Sequence, residues 1–99
     1  VISIEFDDTL MGRSFVTFDG IVVELFLEKF HAKGDRHHTG MTNWLIKAPD
    51  RKGVIDVVMY VGQRRTSSLL MKVDAANFVR IRPLLDALQQ AGVPIRSEG

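Results

Sequence analysis

The sequence predicts an α+β fold: an antiparallel, curved sheet of about five to six strands with one C-terminal amphipathic helix packed on one face. Three observations predict it. Short runs rich in β-branched and aromatic residues, separated by turn signals, fill residues 2–73. The pair Asp19-Gly20 divides two of those runs. Residues 74–91 carry a helical pattern whose start and stop are both legible. The 99 residues suit a single domain, 1–99, with a core that needs no covalent staples.

Ile2-Ser3-Ile4-Glu5-Phe6 alternates cleanly and reads as a half-buried strand, and residues 7–12 break the pattern. Phe15-Val16-Thr17-Phe18 and Ile21-Val22-Val23-Glu24-Leu25 then flank Asp19-Gly20, where glycine supplies the positive φ of a tight hairpin. A two-residue turn sets Phe18 opposite Ile21 and Val16 opposite Val23, with Leu25 and Leu27 continuing that face. A helix over residues 20–33 is the alternative. Val22, Leu25, Phe26 and Phe30 have helical spacing, Glu24, Glu28 and His31 gather opposite, and Asp19 and Gly34 stand where caps belong. The strand is the preferred reading, and periodicity alone does not separate the two.

Residues 32–40 read as a polar loop broken by Gly34, Asp35 and Gly40. A strand over 42–48 places Trp44 and Ile46 on one face and ends in the turn 49–53. Residues 54–61 form the strongest strand, because Ile55, Val57, Met59 and Val61 alternate with Val54, Asp56, Val58 and Tyr60, and its β-branched density suits a central position. After a turn at 62–66, residues 67–73 put Leu69, Met71 and Val73 on one side. The helix follows directly. Asp74 is its N-cap, Val73 and Phe78 form a hydrophobic staple, and Gly92 with Pro94 ends it. Phe78, Ile81, Leu84, Leu85, Leu88 and Ala91 share one face. Pro83 leaves the Val79 carbonyl without its partner and predicts a kink. Residues 93–99 read as a loose tail.

The absence of cysteine excludes disulfides, thiolate metal sites and cysteine nucleophiles, and with no apolar run near the roughly 20 residues of a membrane span it favours a cytoplasmic protein with no membrane segment. The N-terminus lacks the order of a signal peptide. A formal charge of +1 supplies no basic excess and argues against a dedicated nucleic-acid binder. The charge is unevenly spread. Residues 1–28 carry six Asp or Glu against Arg13 alone, whereas residues 29–65 carry eight Lys or Arg against Asp35, Asp50 and Asp56.

The opening ten residues resemble the first motif of the haloacid dehalogenase-like phosphatases, a hydrophobic strand ending in D-x-D-x-T, with Glu5, Asp7 and Thr9 at the three positions. The resemblance implies a nucleophilic carboxylate where this chain has Glu5 rather than aspartate. The chain is shorter than that family's α/β core and lacks its strand–helix alternation, so the segment reads as a strand running into a solvated acidic turn. A strand-rich chain closed by one helix also looks like pleckstrin-homology-like barrels, but no residue motif carries that likeness and no function follows from it.

If strands joined by short turns alternate direction, residues 7–12, 33–40 and 62–65 share one end of the sheet, opposite the corners at Asp19-Gly20, 49–53 and Asp74. The candidate ligand-binding set is therefore Asp35, Arg36, His37, His38, Arg64 and Arg65, with guanidinium forks suited to phosphate or carboxylate. Adjacent His37 and His38 point to opposite faces of any strand, so neither a metal nor a cofactor is expected. Phe15, Val22, Phe26 and Phe30 form a second apolar face that one helix cannot cover, which makes them the candidate interface. The expectation is a non-enzymatic binding or protein-interaction domain, self-associating as a homodimer or taking a protein partner, with a small anionic ligand at its polar end. The alternatives are a small hydrolase or isomerase using a loop histidine as acid or base, and an anion- or nucleic-acid-binding module.

Overall fold

The computed structural model describes residues 1–27 and 35–98; Phe30 and His31 lie outside them. The first strands are β1 (Ile2–Asp8), β2 (Gly12–Phe18), β3 (Val22–Leu27) and β4 (Asp35–His38). A single 3-10 turn at Thr39–Met41 leads into β5 (Thr42–Ile46), β6 (Ile55–Val61) and β7 (Leu69–Val73). Helix α1 (Ala75–Gln90) and a last short strand, β8 (Ile95–Ser97), close the chain. The α+β class and the C-terminal helix are as the sequence predicts. The single curved sheet is not: the strands form two sheets of four, ordered β1-β2-β3-β4 and β7-β6-β5-β8.

Two segments account for the difference. Residues 35–38, read as loop because of their polar neighbours, pair along β3, with Val23 opposite His37 and Glu24 opposite Arg36. An edge strand needs only one row of backbone bonds and no apolar face, so composition does not betray it. Residues 95–97, read as tail, pair in parallel with β5, Trp44 opposite Ile95 and Ile46 opposite Ser97. Both additions depend on a neighbour distant in sequence.

The 20–33 ambiguity resolves as strand over residues 22–27. Its register differs from the expected one by two residues, since Phe18 pairs with Val23 and Val16 with Leu25. A shift of two keeps the same side chains inward. Ile21 therefore sits at the turn, 57% exposed, and the Asp19 N–H donates to the Val22 carbonyl at 3.2 Å. Gly20, at φ 101°, makes that turn.

The inner faces of both sheets and one side of α1 surround a single core. Phe6, Val16, Val23, Trp44, Met59 and Met71 are all buried there, with Ile81, Leu84 and Leu88 from the helix. Asp74 caps α1 by accepting the Asn77 N–H at 2.8 Å, and Gly92, at φ 83°, ends it. The helix runs unbroken through Pro83. Pro83 and Val79 share the exposed side, Val79 at 63%, so the carbonyl that proline cannot serve faces water.

The sheets meet where β1 ends beside β7. The Thr9 N–H donates to the Lys72 carbonyl at 2.8 Å, and the Lys72 N–H donates to Asp8 Oδ2 at 3.0 Å. Asp8 Oδ1 accepts the Leu10 and Met11 N–H groups at 2.9 and 3.0 Å. Asp8 is thus a buried carboxylate with three backbone donors, 5% exposed. Beside it, the Asp7 N–H donates to Asn77 Oδ1 at 2.9 Å and ties the first turn of α1 to the same corner. Asp8→Ala is expected to cost about 3 kcal/mol in urea unfolding, because amides bonded to a charged group lose their partner. Asp8→Asn should fall between wild type and alanine; an alanine variant within 0.5 kcal/mol of wild type, roughly the scatter of surface changes, would contradict the joint.

Three turn carboxylates add a pH dependence. Asp19 accepts the Val22 and Ile21 N–H groups, Asp50 those of Val54 and Lys52, and Asp74 that of Asn77, and these bonds hold each carboxyl below its ordinary value of 3.8. A carboxyl depressed in the folded state stabilises fully above its unfolded value and loses that contribution as pH falls through the folded one. Stability should therefore decline below pH 3.8. Asparagine at all three positions, which still caps and turns, should flatten that decline. Acid titration followed by circular dichroism checks this, and identical slopes for the two proteins would reject it.

Candidate functional site

The sites are best built from the outward-facing residues of the two sheets, since the inner faces are committed to the core. On the second sheet, alternation turns Asn43 and Leu45 of β5, and Asp56, Val58 and Tyr60 of β6, away from the core that holds Trp44 and Met59. Leu45 stands opposite both Val58 and Arg96. Val58 is only 3% exposed although it lies outside the main core, which marks an apolar strip on this outer face.

The turn after β6 folds over one end of that strip. Gly62 takes φ 60°, its N–H donates to the Met41 carbonyl at 2.7 Å, and its carbonyl accepts Asn43 Nδ2 at 2.9 Å. These bonds hold Gln63, Arg64 and Arg65 at the rim of an open groove of ≈ 370 Å³. Asn43, Leu45 and Tyr60 line the groove, and Arg96 of β8 joins the two turn arginines. No carboxylate lines it. Asp56, farther along the outer face, is engaged by Lys72 Nζ at 3.0 and 3.1 Å. Three arginines therefore line one cleft with no acidic residue in its lining.

Three of the six ligand residues expected from the sequence line two of the clefts among the described residues. Arg64 and Arg65 line the groove just described, while His38 lines a separate cleft of ≈ 230 Å³ with Ile21, Thr39, Gly92 and Pro94. The Asp35 side chain lies outside the described residues, and Arg36 and His37 line neither. The extra strand β4 is the reason: it carries residues 35–38 along β3 to the end where Asp19-Gly20 turns, and the Thr39 N–H donates to the Ile21 carbonyl at 2.8 Å. Asp7 and Asp8 lie instead at the corner where α1 begins. Arg96 was missed because the tail gave no strand pattern. Tyr60 was legible as an outward residue of a strong strand, but nothing in the sequence joined it to Arg64.

The histidines occupy opposite faces of β4. His37 pairs with the inward Val23, and its Nε2 is buried without a partner; His38 is exposed, and its Nδ1 accepts the Gly40 N–H at 3.1 Å. No carboxylate is bonded to either ring among the described residues. The acidic opening is likewise divided, with Glu5 and Asp7 outward and Asp8 inward. Among the described residues no three His, Asp or Glu side chains gather to hold a metal ion. No helix among them is long and apolar enough to cross a membrane.

The expected interface residues that are described lie on the outer face of the first sheet. Phe15 and Phe26 are register partners with ring centroids 6.0 Å apart at an interplanar angle of 44°, and Val22 pairs with His38 farther along β3. All three are half-buried. No protein-family model, curated protein or solved structure matches this chain, so its function is argued from this geometry alone.

Proposed function

We propose that the protein is a non-enzymatic binding domain whose recognition site is the groove between Tyr60, Arg96 and the Gly62–Arg65 turn. The observation that carries the reading is the convergence of Arg64, Arg65 and Arg96 on one cleft with no acidic residue in its lining. Like charges held together repel, and the groove relieves that repulsion by taking an anion. Guanidinium groups present paired N–H donors that match the oxygens of phosphate or carboxylate. Leu45 and the Tyr60 ring offer a surface for the apolar or planar part of the same ligand, and the Asn43 amide is already committed to the turn. The ligand is accordingly a small anion attached to an aromatic or aliphatic body.

The alternative of a loop histidine acting as acid or base draws no support from this groove, which holds neither histidine nor a carboxylate partner. The groove also differs from a nucleic-acid track. Its charge is local, the chain's net charge is only +1, and the aromatic lining is one tyrosine.

Phenyl phosphate, which combines the two features, should raise the melting temperature more than inorganic phosphate does, and added salt should weaken both effects. Replacing any one of the arginines with serine is expected to lower the phenyl phosphate affinity about tenfold, the scale of one charge-assisted hydrogen bond. Tyr60→Ala should narrow the difference between the two probes. Equal melting shifts in wild type and an Arg64→Ser/Arg65→Ser/Arg96→Ser variant would reject the groove as the site.

A further inference from the structure

The outer face of the first sheet has a charge order that suits a second copy of the same chain. Its strands run β1-β2-β3-β4, so the midline falls between β2 and β3, where Phe15 and Phe26 pair. The outward residues of β1 are Ser3, Glu5 and Asp7; those of β4 are Arg36 and His38. One edge carries two carboxylates, and the other carries the Arg36 guanidinium and the His38 ring. Between them Arg13 stands opposite Asp7, and Glu24 opposite Arg36, yet the Lys72–Asp56 pair is the only ion pair among the described residues. Glu5 and Arg36 sit three strand spacings apart, about 14 Å, and do not reach each other within one chain.

We propose that the protein forms a symmetric homodimer through this face, about a twofold axis parallel to the strands and passing between Phe15 and Phe26. Such an axis stacks the phenylalanine pair on its own counterpart. The same rotation exchanges the edges of the sheet, so Ser3 of each copy lies over Arg36 of the other, with Glu5 the next outward residue along β1. Glu5 and Arg36 occupy register rows two residues apart, about 7 Å along the strand, an offset that two long side chains span. A foreign apolar partner would satisfy the phenylalanines equally well, but a copy of this chain also brings Glu5 near Arg36 twice through one symmetry operation.

The face is small for a stable dimer. Four strands and about six residues per strand give a footprint of roughly 400 Å² per copy, half that of a standard interface. The dimer is therefore concentration-dependent, with a dissociation constant in the range of roughly ten to several hundred micromolar. It leaves the arginine groove on the other sheet open, so binding there and pairing here are separate properties.

Sedimentation equilibrium from about 10 µM to about 1 mM should show a monomer–dimer equilibrium in that range. Phe26→Ser should weaken it at least tenfold, with unchanged circular dichroism and an unchanged phenyl phosphate response. Glu5→Arg and Arg36→Glu should each weaken it, since each sets like charges together twice in a symmetric dimer. The double variant Glu5→Arg/Arg36→Glu should recover the wild-type constant. A strict monomer throughout the range, a dimer indifferent to Phe26→Ser, or a double variant no tighter than the singles would each overturn the proposal. Because the charge variants alter exposed rim residues, they keep the test decisive should Phe26→Ser fail to fold.

Discussion

The carboxylate of Asp8 is the joint on which the two sheets close. It lies at the end of β1, accepts amides from its own turn and from β7, and is almost wholly buried. Three N–H dipoles point at that carboxylate, two from the turn after β1 and one from β7 of the other sheet. Asn77 extends the joint to α1 by accepting the Asp7 N–H and donating to the cap residue Asp74. Sheet, sheet and helix thus share one polar corner, and the apolar core fills the space between them.

That corner also settles where chemistry is available. The inner faces of both sheets and the buried side of α1 are spent largely on the core, which leaves the outer faces, the turns, the strand edges and the cleft beside α1 at Phe78, Arg82 and Ile95 for ligands and partners. The two outer faces are unlike. One carries an apolar centre between acidic and basic edges, and the other carries an apolar strip ending beneath three arginines. The division follows from alternation, since each strand that sends a core residue inward sends its neighbour out. Tyr60 faces the groove because Met59 faces the core, and Phe26 faces outward because Leu25 does not.

Much of this was legible in particular residues. Alternation in residues 54–61 identified both the buried and the outward sets of β6, and Asp74, Val73, Phe78 and Gly92 marked the helix ends. The Asp19-Gly20 turn placed the hairpin, and a register wrong by two still gave the right faces because the period of a strand is two. The failures share one character. Residues 35–38 and 95–97 are short, polar and at sheet edges, where a strand is defined by its neighbour's backbone and not by its own side chains. Side-chain pattern therefore hid the pairing of His37 and His38 along β3, and the strand position of Arg96.

The sequence by itself determined the α+β class, the helix with its caps, the faces of the long strands and the outward position of Phe15, Val22 and Phe26. Those properties are local: they depend on periodicity and on turn and cap chemistry within a few residues. Only the tertiary structure decided that the strands divide into two sheets, that Asp8 turns inward to join them, and that Arg64, Arg65 and Arg96 line one groove. Each of those depends on a hydrogen-bonded pairing between segments some 20 to 60 residues apart, and no short-range pattern in side-chain order records such a pairing.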